Sequence, residues 1–326
     1  MEKKIGIIFG MENTFPPAVV EKIKSMKVDG VTAEFVKLGG VKMAQPSGYS
    51  VIIDRISQDI SFYRAYLKNA ALNGTFVINN PFWWTADDKF FNYALASKLG
   101  VAIPPTVLLP HNQHPPGTTD QSMRNLIYPL NWEEIFDYVG FPAFLKPYDG
   151  GGWKNVYKVN SPDEFFRAYN ETGHLCMTLQ RGVNFREYFR CYAVGQEKVH
   201  IMVYDPSLPF HERYVKNPAP MDVKLLERVE KDCISLCRAL GYDLNTIEFA
   251  VEDGIPYAID FMNPAPDADV NSVGKANFEW IVNAVAEFAV KKALSGEQQT
   301  EELRWSTFLN GSKSEAKSTG RKKAKA

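Results

Sequence analysis

Phe141-Pro-Ala-Phe-Leu-Lys146-Pro-Tyr-Asp-Gly-Gly-Gly152-Trp153 is the stretch on which the fold turns. Phe141–Leu145 is apolar throughout, as expected of a buried strand, and Lys146 stands at its end. The glycines that follow, Gly150, Gly151 and Gly152, permit positive φ and let backbone N–H groups approach a phosphate with no Cβ in the way. A lysine at a strand end before such a loop reads as a grip on nucleotide phosphates. Taken alone, the stretch fits a tight hairpin with an exposed lysine equally well. Its surroundings decide.

Upstream, strand-like runs at Ile5–Phe9, Val31–Lys37, Val51–Asp54 and Thr75–Asn79 alternate with helical patterns at 17–27 and Ser61–Leu72. The alternation predicts a doubly wound α/β domain over residues 1–85. A helix over 86–99 follows, with Thr85 as its cap, Asp87 and Asp88 in its first turn and Gly100 as its stop. Residues 110–130, rich in Pro, Gly, His, Asn and Thr, read as a loop excursion. From Phe141 to about Glu197 the order is strand, glycine loop, strand, helix (163–170), strand, turn and strand, a compact unit that can act as a mobile lobe over 143–197. Downstream lie an amphipathic helix (222–240) and a hairpin of Thr246–Val251 and Ile255–Phe261 through Glu252-Asp253-Gly254. A last helix, 277–294, stops before Gly296. The expected organisation is therefore 1–85, 86–296 and a basic, disordered tail over 297–326.

The 326 residues, 45% hydrophobic and 23% charged, have the composition of a folded globular chain, and a net charge of −1 gives no bias toward polyanions. The six basic residues after position 312 are the one place where nucleic acid could touch the chain, and a solvated tail is the simpler reading of them. No stretch approaches the ~20 apolar residues of a membrane span, and the apolar run near Met1 is too short for a signal peptide. Cys176, Cys191, Cys233 and Cys237 lack C-x-x-C spacing, and Cys233 and Cys237 fit the buried face of a helix. A reduced, cytoplasmic protein is the expectation.

The chain has no G-x-x-x-x-G-K-[ST] loop, no G-x-G-x-x-G opening a helix, no G-x-S-x-G elbow, no H-E-x-x-H pair and no kinase H-R-D loop. Four features remain, in order. Lys89 stands in Trp84-Thr-Ala-Asp-Asp-Lys89 at a helix start, and Lys146 with its glycines comes second. Third is Gln180-Arg-Gly-Val183-Asn-Phe-Arg-Glu187-Tyr-Phe-Arg190, a strand, a short turn and a second strand. Such a hinge can offer backbone amides to an adenine edge and a carboxylate to a ribose diol, although many β-hairpins look similar. Fourth, Glu248 and Asp260 interrupt apolar strands of one hairpin, with Asn263 close behind. Two carboxylates and an amide oxygen suit Mg²⁺, which takes oxygen ligands and shares its shell with phosphates. An acid facing solvent on an edge strand is the alternative. The cost of burying an unpaired carboxylate in Ala-Ile-Asp-Phe-Met argues against it.

In this order and spacing the four features resemble the ATP-grasp superfamily, RimK-type and glutathione synthetase-like carboxylate–amine ligases in particular, with D-alanine–D-alanine ligase further off. The resemblance covers about residues 86–295 and implies an ATP-grasp fold preceded by an N-terminal α/β (pre-ATP-grasp) domain. It implies that Lys89 and Lys146 hold ATP phosphates under a loop of Gly150–Gly152, that Gln180 and Val183 bracket adenine, and that Glu187 binds the ribose. Arg190 would face the phosphates or acyl intermediate, with Arg213 a candidate for the arginine that steadies the transferred phosphoryl. Glu248, Asp260 and Asn263 would hold one or two Mg²⁺ ions, with Mn²⁺ as an alternative.

The sequence departs from the family pattern at several places. Asp260-Phe-Met-Asn263 is one residue longer than the usual Glu-x-Asn, so a bulge or a turn at Pro264 must bring both side chains to one metal. Gln180 replaces a common Glu, and Tyr188 stands where an Asp usually precedes the arginine by two. The activity implied is an ADP-forming ligase that joins a carboxylate to an amine, with small molecules or a peptide or protein C-terminus as substrates and room for a homo-oligomer. Phosphorylation of a hydroxyl and a non-catalytic ATP-binding scaffold are the alternatives. Arg55, the Asn79–Trp84 turn and Met11–Pro17 are candidate pocket walls; for Arg55 an ordinary surface ion pair is as good a reading, and Trp83 and Trp84 suit a core.

Overall fold

The computed structural model describes residues 2–83, 88–149, 151–209, 212–216 and 218–299. The expected tail beyond 299, the cap Thr85, Trp84 and Gly150 lie outside the described residues. In chain order the elements begin with β1 (Lys3–Phe9), α1 (Phe15–Ser25), β2 (Val31–Phe35), β3 (Val51–Arg55), α2 (Ser61–Leu72) and β4 (Phe76–Ile78). Then come α3 (Lys89–Lys98), β5 (Thr106–Leu109), α4 (Trp132–Val139), β6 (Ala143–Pro147), β7 (Tyr157–Val159), α5 (Pro162–Glu171) and β8 (Met177–Arg181). The chain continues through β9 (Glu187–Val194), β10 (Lys198–Val203), α6 (Val223–Leu240), β11 (Leu244–Glu252), β12 (Ile255–Asp260), α7 (Val270–Val273) and α8 (Lys275–Ser295).

Two compact units result. The first contains Met1–Trp83, Tyr242–Leu244 and the chain from Asp267; the second contains Trp84–Gly241 and Asn245–Pro266. In the first unit a parallel sheet in the order β2-β1-β3-β4 carries fully buried Val51, Ile52 and Ile53, the continuous apolar run that a sheet covered on both faces requires. Helix α8 packs against α1, β1 and β3 of this unit. That corrects the expected 86–296 domain: α8 buries Ile281, Val285, Ala289 and Ala293, and the sheet of the first unit supplies the surface that covers them. Residues 242–244 are held there too. The buried Asn79 side chain accepts from the N–H groups of Asp243 and Leu244, each at 2.7 Å, and donates to the Leu244 carbonyl at 2.7 Å.

The second unit holds two antiparallel sheets, β5-β8-β6-β7 and β10-β9-β11-β12. Strands β8 and β9, expected to form one small lobe with a turn between them, belong to different sheets. The lobe predicted over 143–197 is corrected accordingly: β9 leaves it, and β5, in a stretch without a strand expectation, joins it beside β8. Its core is aromatic. Helix α4, where no element was expected, stacks Trp132 on Phe136 and packs both against Phe165 of α5, with centroids 5.1–6.0 Å apart. The β11–β12 hairpin turns as predicted, with Asp253 and Gly254 both at positive φ (52° and 76°).

Candidate active site

Helix α3 starts three residues later than expected. Asp88 is its cap, accepting from the N–H of Phe91 at 3.0 Å, so Lys89 is its first residue. The Lys89 N–H donates to the Tyr148 carbonyl at 2.9 Å, which ties the helix start to the end of the Lys146 strand. The Lys89 ammonium meets Asp260 Oδ1 at 3.2 Å.

Lys146 is not the exposed lysine of a plain hairpin. Its ammonium donates to Gln180 Oε1 at 2.8 Å and to the Ile259 carbonyl at 3.3 Å, and lies 5.2 Å from the centroid of the Tyr93 ring. Burial pushes its pKa below the usual lysine value, and the charges of Asp260 and Glu248 counter that only in part. The loop after it does join two paired strands, β6 and β7. Gly152 (φ 69°), Trp153 (φ 62°) and Asn155 (φ 57°) turn it through the left-handed region. Among the described residues, chain neighbours apart, no atom lies within 4 Å of where a side chain on Gly151 or Gly152 would begin. The backbone there is open to a ligand.

The third feature is a hinge between sheets rather than a hairpin. Gly182 at its start donates to the Pro142 carbonyl at 2.7 Å, and a Cβ at Gly182 would stand 2.8 Å from that oxygen. Gln180 lies on a strand flanked by β5 and β6, and its side chain is engaged: Oε1 accepts from Lys146 and Nε2 donates to Thr106 Oγ1 at 2.8 Å. The side chain thus steadies the lysine. Val183 is half-buried in the hinge.

Along β9 side chains alternate, and this puts Glu187 and Arg190, expected at ribose and phosphates respectively, on opposite faces. Tyr188 and Arg190 share one face, where both meet Glu248: Tyr188 Oη donates to Oε2, and Arg190 Nε lies 3.6 Å from Oε1. Glu187 is exposed on the other face, in a cleft of about 370 Å³ with Arg186, Asp222, Lys224, Arg228 and Asp253. Strand alternation thus turns Glu187, the expected ribose ligand, away from the Glu248 side of the sheet. Arg213 comes closer. Its Nη1 lies 3.4 Å from Tyr204 Oη, and the Tyr204 ring sits 5.5 Å from the Arg190 guanidinium.

Glu248 and Asp260 stand directly opposite each other across β11 and β12, and the register shifts immediately after this pair, where Ile259 is the extra residue. Burial raises the Glu248 pKa, aided by the Asp260 charge and opposed by Arg190 and the Tyr188 hydroxyl. For Asp260 burial also pushes upward, but Lys89 and Lys146 outweigh it and hold the carboxyl below its usual range. The sequence argued against an acid on a solvent-facing edge strand, and Asp260 is in part such an acid. It sits on an edge strand with its side chain 54% exposed, and its neighbours are cations, not the apolar core. After Asp260 the chain turns at Met262 (φ 69°), so a bulge and a left-handed residue both precede Asn263. The Asn263 N–H is held by the buried Asn245 Oδ1 at 2.8 Å, and its own Oδ1 accepts from Ala265 N–H at 3.2 Å.

Three cations, Lys89, Lys146 and Arg190, thus surround two carboxylates. Among the described residues no three His, Cys, Asp or Glu side chains form a metal cage by themselves. That donor set fits Mg²⁺ bound with phosphates, since the ion takes one or two carboxylates and completes its shell from nucleotide and water.

Sequence reasoning missed Tyr93 and Thr106, and it noted Tyr188 only as a departure from the family pattern, with no role. Tyr93 lies one helical turn after Lys89, and Tyr188 alternates with Arg190, so both carried a local signal. Thr106 carried none, standing 74 residues from the glutamine it supports. In the first unit, Arg55 is buried and paired with Glu12, its Nε donating to Oε2 at 2.9 Å. The structure shows an ion pair, but a buried one rather than the surface pair expected. Trp83, expected in a core, is 39% exposed. Among the described residues no helix is long and apolar enough to cross a membrane.

No family model matches the chain. Over 194 residues it is 25% identical to the Vancomycin C-type resistance protein VanC1 of Enterococcus gallinarum, a match covering 55% of this chain and 52% of that protein. The chain therefore spans about half the length of this curated relative. The VanG D-Ala:D-Ser ligase from Enterococcus faecalis superposes with a TM-score of 0.65 at 14% identity, covering 90% of this chain and 100% of that one. A RimK domain ATP-grasp protein from Sphaerobacter thermophilus does so with a TM-score of 0.61 at 13% identity, over 88% and 99% of the two chains. Fold, sequence match and motif order point the same way: the chain has the fold of the ATP-grasp ligases on which it superposes and resembles one of their kind in sequence.

Proposed function

We propose that the protein is an ATP- and Mg²⁺-dependent, ADP-forming ligase that joins a carboxylate to an amine. The observation that carries this reading is the convergence of Lys89, Lys146 and Arg190 on the Glu248–Asp260 pair. Such a site holds more positive charge than its two carboxylates neutralise, as a polyphosphate requires. Lys89 and Lys146 would bind and orient the phosphates, with the open backbone at Gly151 and Gly152 over them. Glu248, Asp260 and Asn263 would hold Mg²⁺, which as a Lewis acid neutralises charge on the phosphoryl oxygens. Arg190 and, through Tyr204, Arg213 would face negative charge that develops during transfer.

In this reaction the substrate carboxylate attacks the γ-phosphorus, ADP leaves, and the amine then displaces phosphate from the acyl phosphate. Positioning and electrostatics suffice for such chemistry, and no covalent nucleophile on the protein is needed. The likeness to the VanG D-Ala:D-Ser ligase makes amino acids the first substrates to try, and peptides with free C-termini the second. The test is ADP release from ATP and Mg²⁺ across pairs of candidate acids and amines. Dependence on both partners supports the ligase. A stable phosphorylated product indifferent to amine would replace it with a kinase, and nucleotide binding without ADP across the panel would replace it with a binding protein.

A further inference from the structure

The geometry assigns to Tyr188 the role of a positioning residue that fixes the Glu248 carboxylate for metal binding. The inference rests on the reading of Glu248 as a magnesium ligand. Tyr188 is 6% exposed, and its hydroxyl donates a short hydrogen bond to Glu248 Oε2. Its ring is locked on both sides, by Phe185 at 5.1 Å between centroids and by Tyr204 at 5.8 Å. Arg190 approaches the other carboxylate oxygen at 3.6 Å. With one oxygen held by the hydroxyl and the other facing the guanidinium, the carboxylate plane of Glu248 is set before any ion arrives. That matters here because Lys89, Lys146 and Arg190 all compete for the two acids. A carboxylate without the tyrosine is free to rotate fully onto Arg190, and Oε2 is no longer held in place for the ion.

A donor that orients a ligating carboxylate typically contributes about 10- to 100-fold in metal affinity. The experiment is calorimetric binding of a non-hydrolysable ATP analogue to wild-type protein and Tyr188→Phe, in excess EDTA and at graded Mn²⁺ or Mg²⁺. Phenylalanine keeps the ring packing and removes only the hydroxyl. The expected result is unchanged analogue affinity in EDTA together with a metal requirement about 10-fold or more higher. A purely structural tyrosine would lower both affinities or neither. A double-mutant cycle with Glu248→Gln guards against a folding defect: once Glu248 no longer ligates, Tyr188→Phe is expected to change the metal requirement less than twofold. If Tyr188→Phe alone leaves the metal requirement within twofold, the role is overturned while the nucleotide reading stands. If metal fails to strengthen analogue binding to the wild-type protein, both are overturned.

Discussion

Replacing Lys146 with methionine separates a phosphate grip from a structural lysine. Methionine keeps most of the aliphatic stem and removes the ammonium, which now serves Gln180 Oε1 at 2.8 Å, the Ile259 carbonyl at 3.3 Å and the Tyr93 ring. Two opposing effects on stability follow. Each acceptor left without a donor costs about 1–3 kcal/mol, while removing a buried cation relieves a desolvation penalty of several kcal/mol. Burial lowers the Lys146 pKa, so the folded value lies below the unfolded one. The penalty is therefore fully present below the folded value and is relieved as pH rises from the folded value toward the unfolded one. Near pH 7.5 the two effects largely offset each other, and the unfolding midpoint is expected to move little. Nucleotide affinity has no such offset. A charge-assisted hydrogen bond contributes about 1.5–3 kcal/mol, which is roughly a 10- to 150-fold rise in Kd. Titration of a fluorescent ATP analogue, beside denaturant unfolding of both proteins, measures the two quantities. Analogue affinity within twofold of wild type in a folded Lys146→Met protein would refute the phosphate grip.

Three further outcomes follow from other parts of the structure. Asn79→Ala removes three buried hydrogen bonds to residues 243–244 and is expected to cost at least about 2 kcal/mol in urea unfolding, a loss under 0.5 kcal/mol contradicting the clamp. Gly182→Ala forces a Cβ against the Pro142 carbonyl and is expected to cost about 1–3 kcal/mol and weaken nucleotide binding at the hinge; an unchanged melting temperature would show that the backbone can give way there. Burial raises the Asp269 pKa, but hydrogen bonds from Asn271 and Thr14 outweigh it and hold the folded value below 3.8. Its contribution is present above the unfolded pKa and lost as pH falls through the folded one. Asp269→Ala is thus expected to cost about 1–2 kcal/mol at pH 7 and progressively less toward pH 2, and a difference constant with pH would exclude the ionised cap.

What the sequence determined by itself is local. The helical period of Ser61–Leu72 gave α2 with its observed ends, and Asp253-Gly254 supplied the two positive φ values of the β11–β12 turn. The order Lys89, Lys146, hinge and Glu248–Asp260 was legible because motif spacing survives folding. Tertiary structure decided what periodicity cannot encode, namely which surface covers an apolar face and which distant group meets a charge. Helix α8 had a plain helical pattern, yet only the sheet of the first unit determined where it is buried. Glu187 and Arg190 looked like neighbours in one motif, and strand alternation placed them on opposite faces. The Gln180 side chain lies beside Lys146 because β8 pairs with β6, a fact of register rather than of composition. Lys89 and Asp260 are 171 residues apart, and only the folded chain brings their charges to 3.2 Å.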